Sequence, residues 1–191
     1  MEQIIGIDPD LEKSGIAIIV NNKLELLTFN LPTLLYTFFK NLVKQQDENY
    51  TLKTTIYVEA AYLVNHFFQP VKASPFVISK INRNIGENHA IAKAIIQSAK
   101  ACGLNVVPCY PVTSTNYRNR GKKITHPQFL NMLQRNGIHW YGDSSNQETR
   151  DAALIAVTYG INKEYHEGKY ALNNSNQKSN IISNEEFTSS N

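Results

Sequence analysis

Three short apolar runs at the start of the chain constrain its fold more than any other feature. Ile4–Asp8, Gly15–Val20 and Leu24–Phe29 follow one another with only DPDLEKS and NNK between them. Runs this short read as strands rather than helices, and turn-rich connections this tight leave no room for a crossover. Parallel neighbours need a dozen or more connecting residues, so the predicted start is a three-strand antiparallel meander.

The pattern then changes period. Leu31-Pro32 opens a helix, with Leu34, Leu35, Phe38, Phe39, Leu42 and Val43 at helical spacing and Pro32 suited to a first turn. QQDENYTLK ends it, and the β-branched run Thr54–Val58 leads directly into Glu59. Ala60 to Arg83 reads as irregular and aromatic-rich. A helix is predicted over Gly86–Ala101 with Gly103 as its stop, then a strand over Leu104–Cys109. Helices follow over Pro127–Gln134 and Glu148–Tyr165. A meander followed by alternating helices and strands implies an α/β domain, a mixed central sheet with helices on both faces.

Composition fits this picture. The chain has 191 residues, 42% of them hydrophobic and 18% charged, enough for one domain with a real core and no disulfide staples. We expect that domain to span residues 1–170 and the Asn/Ser-rich stretch 171–191 to be a disordered tail. A net charge of +3 says little about partners by itself. Cys102 and Cys109 form no CxxC pair and read as structural thiols of a reduced, intracellular protein. The start MEQIIGIDPD is not a signal peptide, and no run approaches the roughly 18–20 apolar residues of a membrane span. The expectation is a soluble, cytoplasmic protein without membrane association.

Carboxylates mark the ends of several elements. Asp8 ends the first strand, Glu59 follows the fourth, and Glu148 and Asp151 share one face of the last helix's first turn. Singly, each has an ordinary explanation, as a turn former or a partner of the helix dipole. Glu59 is harder to dismiss, because it ends a strand expected to be buried. If the first and fourth strands lie side by side, Asp8 and Glu59 face one edge and the last helix brings Glu148 and Asp151 opposite. Four oxygen donors without nearby His or Cys suit Mg²⁺, with Mn²⁺ as a substitute, rather than zinc. Such a site hydrolyses phosphodiesters, two ions about 3.5–4 Å apart clamping the scissile phosphate. The five histidines show no metal-ligand spacing and read as surface or capping residues.

Taken in order, these segments resemble one family. IIGIDPDLEKSGIAII is similar to the first hairpin of RuvC-type Holliday junction resolvases, and IYVEAAY to their second strand-end acid. GENHAIAKAIIQSAKACGLNVVPCYP resembles the family's central helix, strand and proline-marked turn, and ETRDAALIAVTYG its last helix. The resemblance covers about Ile4 to Gly160. It implies an RNase H-like fold, two Mg²⁺ ions, a homodimer acting on branched DNA, and Asp8, Glu59, Glu148 and Asp151 as metal-binding catalytic residues. Two departures stand out: Asp10 replaces the family's usual Gly, and Glu148 replaces its usual Asp. Asp10 reads as a solvated turn residue, and both carboxylate types bind the same ions.

Candidate DNA contacts lie elsewhere. YRNRGKK carries Arg118, Arg120, Lys122 and Lys123, able to neutralise several phosphates in a salt-dependent way. Tyr62, three residues after Glu59, stands where resolvases carry an aromatic able to wedge into a junction. Phe67 and Phe68 read as core. The Gly86–Ala101 helix and the stretch Tyr62–Phe76 offer apolar surface for a second copy. The expected activity is therefore metal-dependent cutting of four-way junctions. The alternatives are a nuclease of the same fold acting on other branched DNA or RNA–DNA hybrid, and a non-catalytic DNA-binding relative. Clustered acids facing phosphates argue against the last.

Overall fold

A computed structural model describes residues 1–64, 74–112, 117 and 122–163. Strands β1 (Glu2–Asp8), β2 (Ser14–Val20) and β3 (Lys23–Phe29) form the expected meander, pairing Ile5 with Ile18 and Ile16 with Leu27. The β2–β3 link is the two-residue turn Asn21–Asn22, both at positive φ (50° and 59°), the geometry that suits the twist of a hairpin. β4 (Lys53–Glu59) lies parallel to β1, and β5 (Asn105–Cys109) lies parallel to β4. The sheet order is β3-β2-β1-β4-β5.

Both faces of this sheet are covered. The connection from β3 to β4 is helical: α1 (Leu31–Thr33), a π-helical stretch Leu34–Phe38 and α2 (Phe39–Glu48), begun by Asn30, whose side chain accepts from the Thr33 amide. α3 (Pro75–Ala101) connects β4 to β5. Leu34, Phe38, Phe39 and Leu42 join Ile91, Ile95 and Ile96 over Ile5, Ile7, Ile16, Ile56 and Val58 on one face. On the other face lie α4 (His126–Arg135) and α5 (Gln147–Ile155), which continues as a π-helical stretch, Ala156–Ile161. Phe129, Met132, Leu154 and Ile155 pack there on Ile4, Ala17 and Ile19. A mixed five-stranded sheet with a three-strand meander and helices on both faces is the RNase H-like architecture expected.

The structure corrects three expectations. α3 starts at Pro75 rather than Gly86, with Ser74 as its cap accepting from the Val77 amide. Ser followed by Pro is a helix-start signal, masked in the sequence by the aromatic stretch around it. The apolar face of the Gly86–Ala101 segment is consumed by the core, where Ile91, Ile95 and Ala99 are buried, so it is not spare surface. Cys102 is exposed because it caps α3 beyond its last buried residue, Ala99, whereas Cys109 is buried as expected. The tail expected over 171–191, with Phe67, Phe68, His66 and His166, lies outside the described residues. Among the described residues, no helix is long and apolar enough to cross a membrane.

Candidate active site

The two-residue period of a strand decides which end residues meet. In β1, Ile5 and Ile7 face α3, while Ile4 packs in the α5 layer and Gly6 lies against the backbone of Ala152 and Ala156. Asp8 therefore faces α5. In β4, Ile56 and Val58 face α3, and Tyr57 stacks on Tyr159 of the α5 layer with ring centroids 6.3 Å apart. Glu59 therefore faces α5 too. The parallel register pairs Ile7 with Val58, so Asp8 and Glu59 end neighbouring strands side by side. Glu59 is paired in turn with Cys109, and its Oε2 accepts from the Val112 amide at 3.4 Å.

α5 delivers the third acid. Asn146 caps the helix by accepting from the Thr149 amide at 2.9 Å. Close approach to the sheet depends on two glycines. A Cβ on Gly15 would collide with the Glu148 carbonyl, and one on Gly6 with the Ala152 carbonyl. With helix and strand backbones in contact, Asp151 points inward and is only 7% exposed. Its Oδ2 accepts from the Lys123 ammonium at 2.8 Å.

Arg150, the residue before Asp151, holds the segment that carries Lys123. Its Nε donates to the Ile124 carbonyl at 3.1 Å, and its Nη atoms donate to the Ser145 carbonyl and to Gln147 Oε1. Ile124 is fully buried. The helix bearing one acid thus also fixes the backbone beside the lysine that meets it.

Charge at this site is unbalanced. The Asp8 carboxyl is held well above the usual carboxylate range, by burial first, then by the negative charges of Glu59 and Asp151; Lys123 opposes and Asp10 adds a little. For Lys123, burial alone would lower the pKa. The hydrogen bond and charge of Asp151, with the charges of Asp8 and Glu59, outweigh it, so the ammonium is held more firmly than usual. Burial, and after it Glu59, pushes the Cys109 thiol up, so it stays protonated and a poor metal ligand.

The structure thus brings Asp8, Glu59 and Asp151 into one electrostatic cluster. Glu148 stands in the first turn of α5, half-buried, and does not figure among the charges acting on Asp8. Asp10 behaves as a turn residue, its Oδ1 accepting from the amides of Glu12 (2.9 Å) and Lys13 (3.4 Å). Tyr62, in a 3₁₀ turn (Ala61–Leu63) just beyond β4, is half-buried against α3, with His89 edge-on at 6.2 Å and the Lys93 ammonium 5.1 Å from its ring centre. Lys122 is exposed, while Arg118 and Arg120 lie outside the described residues. The described histidines are occupied elsewhere: His126 pairs with Ser145, His89 meets Tyr62, and His139 bridges to β3.

Whether these residues suit a metal is a question of donor type and charge. Three inward carboxylates with one ammonium among them form a hard, oxygen-only donor set with surplus negative charge, which fits Mg²⁺ or Mn²⁺ and not zinc. Among the described residues, no three His, Cys, Asp or Glu are drawn tightly enough to hold an ion as they stand.

Arg150 and Asn146 went unremarked in the sequence. Asn146, directly before a helical pattern, was findable as a cap. Nothing local marks Arg150, whose partners come together only in the fold.

No family model matches the chain, and no characterised protein matches it in sequence. Solved structures of similar shape include Thermus thermophilus RuvC in complex with a Holliday junction substrate, at 14% identity and a TM-score of 0.47, covering 87% of this chain and 97% of that one. Another structure of Thermus thermophilus RuvC aligns at 15% identity and a TM-score of 0.45, covering 85% and 95%. Likeness at this level leaves the chemistry to the side chains themselves.

Proposed function

We propose that the chain is a divalent-metal-dependent endonuclease that hydrolyses phosphodiesters in branched DNA, four-way junctions foremost. The observation that carries this reading is the convergence of Asp8, Glu59 and Asp151 from two adjacent strand ends and a facing helix, with negative charge in excess. A structural role does not explain it, because a fold gains nothing from repelling carboxylates. Asp8, Glu59, Asp151 and Glu148 are the residues that would hold two Mg²⁺ ions, Mn²⁺ substituting. When bound, such ions polarise the phosphate and activate water for in-line displacement.

The other assignments concern the substrate. Lys122 and Lys123, with Arg118 and Arg120, contact phosphates. Tyr62 stacks on an exposed base, which is worth about 1–3 kcal/mol and favours an opened junction over plain duplex. Two copies of the chain cut two strands at symmetric positions.

The test is cleavage of a synthetic four-way junction, flap, duplex and RNA–DNA hybrid side by side with Mg²⁺ and Mn²⁺. Junction cutting that vanishes in Asp8→Asn while DNA binding persists is the expected result. Asp8→Asn cutting at the wild-type rate would remove the proposed site. Preference for flap or hybrid would keep the site and replace the substrate.

A further inference from the structure

Lys123 belongs to a stretch whose charge suits DNA phosphates, yet its ammonium lies 2.8 Å from Asp151 Oδ2 and within the field of Asp8 and Glu59. Its root and its tip differ in freedom. The next residue, Ile124, is fully buried with its carbonyl held by Arg150, and Thr125 closes a capping box with Gln128 at the start of α4. The backbone is pinned there. The side chain, by contrast, is 69% exposed, on a flexible four-carbon stem that can swing the ammonium without moving the main chain. An ammonium is a weak occupant for such a cluster. A divalent ion brings twice the charge to the same oxygens, and an oxygen it binds is no longer open to the lysine.

We propose that Lys123 is a tethered counter-cation, which holds Asp151 while the site lacks metal and swings to a DNA phosphate when a divalent ion takes the carboxylates. The proposal rests on the metal-nuclease reading and gives it an order of events. Lys123 competes with metal in the free protein and is released towards DNA once metal binds. Metal and DNA then strengthen each other's binding, and by linkage the coupling is equal in both directions. A permanent Lys123–Asp151 pair predicts the opposite sign, because losing it would disorder a metal-binding carboxylate and weaken the ion.

Calorimetric titration of Mg²⁺ into the DNA-free protein at about 0.15 M ionic strength, where the Debye length is about 8 Å, separates the two. Lys123→Met is expected to bind Mg²⁺ about three- to fivefold more tightly, the gain that loss of a partly exposed ion pair allows. Lys122→Met, which removes a nearby charge, is expected to change it by less than about twofold, since exposed charges are screened. Junction binding by fluorescence anisotropy, with and without Ca²⁺ and with strands checked intact, supplies the second readout. The wild type is expected to tighten on the junction with Ca²⁺, and Lys123→Met and Lys123→Gln to lose most of that gain. Equal or weaker Mg²⁺ binding by Lys123→Met overturns the exchange and leaves the nuclease reading standing if the wild type binds metal and cuts. A wild type that binds no divalent ion overturns both.

Discussion

Burial and the charges of Glu59 and Asp151 keep the Asp8 carboxyl protonated to a higher pH than an ordinary carboxylate. The native state therefore holds this proton more tightly than the unfolded chain does. The resulting stabilisation is complete below the ordinary value of 3.8 and is lost as pH rises through the raised native value. At neutral pH without metal, Asp8 weighs against the fold, because the unfolded chain gives up this proton more readily than the native state does. Asp8→Asn keeps the shape and removes the charge, so it is expected to melt higher than wild type at pH 7 in EDTA, by roughly 2–4 °C, the response of such a domain to about 1 kcal/mol. The advantage is expected to vanish as the pH approaches 3.8. Adding Mg²⁺ is expected to raise the wild-type melting temperature and leave the variant unmoved. Scanning calorimetry at two pH values decides this, and a variant less stable than wild type at pH 7 would show that Asp8 is held by contacts stronger than the repulsion.

At the level of elements, the site depends on how closely α5 lies on β1 and β2. Gly6→Ala places a methyl group against the Ala152 carbonyl and the Ala156 amide, both backbone, so the helix itself has to move. Overpacking of this kind costs about 1–3 kcal/mol, read as a lower urea midpoint, and should slow cutting by displacing Asp151. An unchanged midpoint would mean the helix yields freely. Arg150→Met keeps the apolar stem and deletes the donors to Ile124 and Ser145. Loss of charged donors to these part-buried carbonyls costs about 1.5–3 kcal/mol, and trypsin is expected to cut faster at Lys123; an unchanged digest would show that Arg150 does not pin that segment. These elements were unequally legible beforehand. The strands, the meander and the strand-end acids could be read because alternation and turn chemistry are local. The start of α3 was hidden, since its exposed first turns carry no core stripe. The partner of Lys123 was hidden too, because YRNRGKK looks like a solvated loop until a helix 28 residues further on is folded beside it.

For the whole molecule, the proposed four-way-junction substrate raises the question of how one set of acids would serve two strands. A four-way junction presents them at positions related by a two-fold axis, and isologous dimers are the commonest closed assembly. The surface available for this is not the Gly86–Ala101 segment, which is spent on the core, but the first turns of α3, where Phe76 is 80% exposed beside Val77 and Ile78. Arg83 and Lys80 border that apolar patch and give it a polar rim. Light scattering at micromolar concentration should find a dimer of the 21.6 kDa chain. The double variant Phe76→Asp, Ile78→Asp should be monomeric with an unchanged melting temperature, since both side chains lie outside the core. Strand-resolved cleavage then links assembly to function: the wild type should cut both strands within one encounter, and the monomeric variant should leave single nicks. A wild type that remains monomeric with and without junction DNA would end the case for paired resolution, and the same three acids would then describe a nicking nuclease.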